Sequence, residues 1–319
     1  MLSPAPARRL SVLLTALLAA VTLVGAGAAS ARAGEATDQP AGGNLVIFGD
    51  SVVADPPLDV YFANEVGSFD GGLGLGDELS GVGLSSEGPG IGSFGSSAGR
   101  NDRACPTSLE SFAVQAARQL NLAARDYSCA GATVLPRGSS LLGEDALCSD
   151  QVDRALADGA LDAGTGRVLI NIGFNDTYSN TDLSHEELAA RFVAEGGAQI
   201  ERIRDAVPDA RIQIVGYPTI LGGDTLCLVH AGGISGGRVH FPLAGAWERQ
   251  AQDLQLALAD ATGVKFLDLK PSTADNGMCA PDDRRMWAGV IDVSSGPTNL
   301  PFHANARGHS HIANVIVAS

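Results

Sequence analysis

Asn44-Leu45-Val46-Ile47-Phe48-Gly49-Asp50-Ser51 (NLVIFGDS) is an unbroken apolar run that ends in glycine and delivers a serine. The run is too short for a helix. Without polar alternation it reads as a strand buried on both faces, which is the habit of a parallel sheet with helices above and below. Further along, Arg167 to Gly173 (RVLINIG) has the same character. Strands are also expected at Ala123 to Ser128, Arg211 to Gly216 and Val264 to Leu269.

The segments between them have helical signatures. Thr107-Ser108-Leu109-Glu110 has the S/T-x-x-E form of a capping box,. The helix after it would place Leu109, Phe112, Ala113, Ala116, Ala117 and Leu120 on one face. Ser149 to Asp158 reads as a second helix. Ser184-His185-Glu186-Glu187 opens a third that runs to about Val207, where Pro208 stops it,. Leu243 to Ala261 and Ala306 to Val317 complete the set. Five strands alternating with helices predict an α/β fold, a three-layer sandwich around a central parallel five-stranded sheet. With no linker and no internal repeat, residues 34–319 read as one domain.

Residues 1–33 read as a signal peptide. Arg8 and Arg9 form its basic end, Leu10 to Val24 its short apolar run, and Ala31-Arg32-Ala33 an A-x-A cleavage pattern,. An uncleaved anchor is the alternative, but the run is short for a membrane span. Residues 66–100 hold 12 Gly and 7 Ser among 35 positions and read as an insertion, either a surface loop or a lid,. The 319-residue chain carries 36 acidic and 21 basic residues. Its formal charge of −15 repels phosphate backbones, so nucleic acid is not an expected partner,.

In folds of this class, ligands meet the carboxyl ends of the strands. Ser51 follows the first strand on a strand-to-helix turn, the place for a nucleophile with oxyanion-binding N–H groups beside it. Gly131 follows the second, where the absent side chain lets the backbone approach a substrate. Asn175 follows the third, and its amide can donate to a developing oxyanion. Asp176 reads as a brace for the Asn175 loop. His303 immediately precedes the last helix and can serve as general base. The remaining histidines form no metal cluster: His185 caps a helix, His230 and His240 read as loop residues, and His309 and His311 sit on different faces of the last helix,. Trp247 and Trp287 read as packing residues. Neither metal nor cofactor is implied.

Taken in chain order, Ser51, Gly131, Asn175 and His303 match the four letters of the SGNH, or GDSL-type, esterase and lipase family, which the sequence resembles from about Asn44 onward. Its specific parts are Gly49-Asp50-Ser51, Gly173-Phe174-Asn175-Asp176 and His303-Ala304-Asn305-Ala306-Arg307-Gly308-His309. The resemblance is nearest to secreted actinobacterial members. It implies the flavodoxin-like fold of that family and hydrolysis of carboxylic esters, with Ser51 and His303 catalytic. Ser51, Gly131 and Asn175 would form the oxyanion hole. The expected partner is an acyl ester, lipid first and an acetylated glycan second, met outside the cytoplasm and without a transmembrane span. A non-catalytic binding module is the alternative from another class.

One departure stands out. Where the family's last block is D-x-x-H, position 300 is Leu300. His303 is therefore expected to work in a dyad, oriented by a main-chain carbonyl near Leu300. Asp292, eleven residues upstream, is the rival orienting acid. Of the five cysteines, Cys105 and Cys129 bracket one helix and the next strand, a pairing the resemblance also suggests. Cys227 and Cys279 would form a second bridge, leaving Cys148 by subtraction.

Overall fold

The computed structural model describes residues 43–59, 61, 105–137, 146–231, 234–294 and 300–319. The proposed leader at 1–33 and the whole glycine-rich stretch at 66–100 lie outside them. Five parallel strands form the main sheet: β1 (Asn44–Gly49), β2 (Ala123–Asp126), β3 (Thr165–Asn171), β4 (Arg211–Val215) and β7 (Lys265–Leu267). Their spatial order is β2-β1-β3-β4-β7. The chain thus winds outward from β1 in both directions, and the order reverses between β1 and β3. Carboxyl ends at such a reversal splay apart and leave a crevice.

β1 shows why the apolar run is continuous. Val46 and Phe48 enter one core, Leu45 and Ile47 the other, and all four are fully buried. The first core is covered by α3 (Cys148–Ala157), α5 (His185–Ala206) and α6 (Pro242–Thr262), through residues such as Val152, Phe192, Ile200 and Leu258. The second is covered mainly by α2 (Phe112–Gln119) and α8 (Ala306–Ala318), through Phe112, Ala116, Ile312 and Ile316. Burying side chains on both faces of the central strands supplies the main driving force for this arrangement.

Helix boundaries follow local chemistry. The capping box at Ser184 forms as expected: Ser184 Oγ accepts from the Glu187 N–H while the Glu187 carboxylate takes the Ser184 N–H. The one expected at Thr107 does not. Ser108 N–H is tied to the Ala54 carbonyl at 2.8 Å, and Cys105 is bridged to Cys129, so this segment stays non-helical. Ser111 caps α2 instead, and Leu109 is 72% exposed rather than on the buried face. β2 ends at Asp126, earlier than Ser128, because the Asp126 carboxylate captures the Ser128 N–H in a local turn,.

A second, small sheet was not expected. β5 (Thr225–Ala231) and β6 (Ile234–His240) form an antiparallel pair, and β8 (Ile291–Asp292) adds to β5 in parallel. His230 and His240 therefore belong to strands, not loops. Three short helices, α1 (Ser51–Ala54), α4 (Phe174–Ser179) and α7 (Lys270–Thr273), each follow a strand of the main sheet at its carboxyl edge. Cys227–Cys279 is the second disulfide, and Cys148 is a buried free thiol whose pKa burial pushes up to about 12.

Candidate active site

Ser51 sits where β1 turns into α1. Gly49 makes that turn possible: with φ at +153°, an added Cβ would lie 2.2 Å from the Asn171 carbonyl oxygen on β3. Gln151 of α3 holds the glycine from the other side, accepting its N–H at 2.8 Å and donating to its carbonyl at 2.9 Å. Asp50 caps α1, accepting the Val52 N–H at 2.9 Å. The serine is thereby presented at the start of a one-turn helix, on the crevice between β1 and β3.

His303 meets it. The imidazole Nε2 lies 2.7 Å from Ser51 Oγ, and Nδ1 lies 2.8 Å from the Pro301 carbonyl oxygen. A carbonyl can only accept, so Nδ1 carries the proton and the Nε2 lone pair faces the serine hydroxyl. The orienting group is two residues before the histidine. Reaching it requires a tight reversal, and Phe302 provides it with φ at +59°, a left-handed conformation that a bulky side chain rarely adopts,. The Trp287 ring stacks on the imidazole, with centroids 6.4 Å apart and planes inclined by 9°.

Asp292 is elsewhere. Its carboxylate is paired with the fully buried Arg285 guanidinium and accepts the Gly289 N–H at 3.2 Å. Arg285 also donates to the Trp287 carbonyl and to Asp282. This cluster shapes the segment that runs beside His303, where Ala288 N–H donates to the His303 carbonyl at 2.7 Å and Phe302 N–H to Gly289. Asn305 caps α8 and donates to the Arg285 carbonyl. Gly308 is needed because a Cβ there would come within 2.3 Å of the Met286 carbonyl oxygen. Asp292 thus holds the loop that carries Trp287 rather than the imidazole itself.

Gly131 and Asn175 come to the same crevice. Asn175 is buried, donates one amide hydrogen to the Ala132 carbonyl at 2.8 Å, and accepts the Tyr178 hydroxyl on Oδ1. Those two partners fix which end of the amide is nitrogen and leave its second N–H to be aimed. Gly131 adopts φ +76°, and its carbonyl is taken by Arg137. Among the described residues nothing accepts from the backbone N–H of Ser51 or of Gly131. Ser51 and Gly131 thus keep backbone N–H groups, and Asn175 an amide hydrogen, of the kind that can donate to an oxyanion.

Two buried carboxylates lock these loops together, and sequence reasoning missed most of their partners. Asp176 accepts the Val134 and Leu135 N–H groups at 3.0 and 2.9 Å, so it braces the Gly131 loop against α4 as well as its own turn. Asp50 accepts the Tyr217 hydroxyl, and Tyr217 in turn accepts the Phe174 N–H at 3.1 Å. That chain ties the Ser51 turn to the Asn175 turn through a residue that follows β4. Tyr217 gave no sequence signal beyond its place after a strand. Burial raises both carboxyls from 3.8 to about 7, with the field of Asp50 adding to the effect on Asp176. Burial likewise lowers His303 below 6.5, against the Pro301 carbonyl, which favours the proton.

The raised carboxyls have a pH consequence. Between 3.8 and about 7 the folded protein keeps a proton that the unfolded chain loses, so stability falls as pH rises through that window,. Asp176→Asn removes its share and leaves that of Asp50. Urea midpoints measured from pH 4 to pH 8 should therefore decline less steeply for Asp176→Asn than for wild type. Parallel curves would contradict the assignment.

The chain is similar to known proteins. Residues 93–311 match the model of the GDSL-like Lipase/Acylhydrolase family, a span that takes in Gly131, Asn175 and His303 and begins beyond Ser51. Among curated proteins none matches the sequence. Among solved structures, a phospholipase A1 from Streptomyces albidoflavus NA297 is 15% identical, with 87% of this chain and 98% of that one covered and a TM-score of 0.48. An extracellular lipase from Streptomyces rimosus is 20% identical, with 86% and 98% covered and a TM-score of 0.44. Est24, a carbohydrate acetylesterase from Sinorhizobium meliloti, is 14% identical, with 86% and 96% covered and a TM-score of 0.47. With a family model matching well over half of its length, the chain belongs to the GDSL-like lipase/acylhydrolase family and is a carboxylic ester hydrolase of that type.

Proposed function

We propose that the protein is a secreted serine esterase acting on lipid acyl esters, with Ser51 as nucleophile and His303 as its base. The observation that carries this reading is the 2.7 Å contact between His303 Nε2 and Ser51 Oγ, with Nδ1 held by the Pro301 carbonyl. As Ser51 Oγ bonds to the ester carbon, its proton passes to Nε2. The carbonyl oxygen becomes an oxyanion beside the N–H groups of Ser51 and Gly131 and the Asn175 amide. When the tetrahedral adduct collapses, His303 gives that proton to the departing alkoxide, and an acyl-serine remains. Water then attacks the acyl carbon with His303 again as base, releasing the acid and restoring Ser51. The lowered pKa of His303 keeps the imidazole in its basic form at neutral pH,.

An aromatic row supports an acyl chain as the substrate's long part. Phe174, next to Asn175, packs edge-on against Tyr178, Tyr178 against Trp247, and Trp247 against Phe241. All four are partly exposed, and Leu243 beyond them is 45% exposed. Successive planes are inclined by 61° to 84°, so they offer an apolar track, not the coplanar faces on which consecutive sugar rings stack,. Export is supported by two disulfides, which persist in oxidising compartments, and by the leader-like pattern at 1–33,. Among the described residues no helix is long and apolar enough to cross a membrane.

Ser51→Ala should lower turnover by about 10⁶ while leaving the thermal midpoint in place. Asn175→Ala should lower kcat by about 10²–10³ with little change in KM, because its bond strengthens only in the transition state. Even a tenth of wild-type activity in folded Ser51→Ala would refute the nucleophile. For substrate class, kcat/KM on p-nitrophenyl esters should rise from acetyl towards medium and long acyl chains. A maximum at acetyl, with release of acetate from acetylated xylan, would favour the glycan deacetylase reading instead.

A further inference from the structure

His303 is oriented by a neutral carbonyl, which leaves no charge in its hydrogen-bond shell to balance the imidazolium that forms when Ser51 gives up its proton,. Two carboxyl groups flank the nucleophile's helix: Asp50, whose oxygens take the Tyr217 hydroxyl and the Val52 N–H, and Asp55. Asp55 follows α1 as the C-cap, its N–H donates to the Ser51 carbonyl at 2.9 Å, and it lies one helical turn beyond the serine. Its backbone is left-handed, with φ 44° and ψ 48°, at a position where glycine would be unstrained,. An acidic residue retained in that conformation invites a functional reading.

A second histidine lies against it. His309, in the first turn of α8, is 3% exposed. Its Nδ1 accepts the Phe112 N–H at 3.1 Å, so its ring proton lies on Nε2, which is 3.3 Å from Asp55 Oδ1 in a close polar contact without the alignment of a hydrogen bond. The Phe112 ring stacks on it at 5.9 Å. Two histidines of one segment therefore meet two residues of one helical turn: His303 is hydrogen-bonded to Ser51, and His309 lies beside Asp55.

We propose that Asp55, lying against His309 one turn beyond the nucleophile, is the through-space counter-charge of the His303 imidazolium, in a site whose histidine has no carboxylate of its own. The proposal rests on the Ser51–His303 reading above. Asp55 acts on His303 and not on substrate, so it is a positioning residue of an electrostatic kind. Of the charged groups around the imidazole, the Asp55 field favours its protonation, while charge on His309 would oppose it. Its other neighbours are the Ser51 hydroxyl, the Pro301 carbonyl and the Trp287 ring, all neutral.

Asp55→Asn is the clean test. Asparagine keeps the size and shape of the side chain beside His309 and tolerates the left-handed backbone, so only the charge is lost. The pH profile of kcat/KM is read on a soluble p-nitrophenyl ester, together with kcat, KM and the thermal midpoint, for wild type, Asp55→Asn, Asp55→Gly and Ser51→Ala. The acid limb should move to lower pH by roughly half a unit in Asp55→Asn and Asp55→Gly alike, and kcat should fall about three- to tenfold with KM unchanged. The limb's position does not depend on how much of a variant is folded. A profile for Asp55→Asn that superimposes on wild type, with kcat within about twofold, overturns the proposal. So does impairment confined to Asp55→Gly, which would mark a structural role. Activity surviving in Ser51→Ala would instead overturn the dyad reading on which the proposal stands.

Discussion

The hydrogen bond from His303 Nδ1 to the Pro301 carbonyl is the constraint on which the site depends, because it decides which imidazole nitrogen faces Ser51. A carbonyl two residues away is a cheap orienting group in sequence terms and an awkward one in backbone terms. It requires the left-handed turn at Phe302, and that turn must be imposed from outside,. The imposing structure is the 286–289 segment, bonded along 302–305 and braced from behind by Arg285 and Asp292. A buried ion pair is a weak source of net stability, since desolvation offsets much of its attraction. Here its work is geometric: it keeps Trp287 flat against the imidazole.

The same trade recurs on the other side of the crevice. Asp50 and Asp176 are carboxyls that burial drives up to about 7, an arrangement that lowers stability at neutral pH,. In return, three loops from three strands acquire fixed relative positions. Asp176 joins the Gly131 loop to the Asn175 turn, while Asp50, through Tyr217, joins the Asn175 turn to Ser51. Donors held by such braces need no reorganisation when charge develops, which is where electrostatic catalysis gains most.

The sheet was legible because its strands are apolar on both faces, a pattern that little else produces; NLVIFG and RVLINIG needed no context. The strand-end residues were legible for a related reason, since parallel topology forces them to one edge. What could not be read were contacts made across that edge. Tyr217 and Gln151 look ordinary in sequence, and only the fold shows each reaching a turn far away in the chain. Trp287 looked like packing and does pack, but against the imidazole. The small sheet was hidden by glycines at 232, 233, 236 and 237, which weaken any strand signal, although Thr225 to Ala231 carries one,. The start of α2 was misplaced because a disulfide and a backbone bond to Ala54 override the local capping pattern.

The central claim is that Ser51 is activated by His303 without a side-chain acid. Phosphonylation by a fluorophosphonate, followed by mass-spectrometric mapping of the modified peptide, tests it most directly. Wild type and Asp292→Asn, each confirmed folded, should both carry the label on Ser51, whereas His303→Ala should label very slowly. Label on another residue, or a rate for Asp292→Asn as low as that of His303→Ala, would contradict the account.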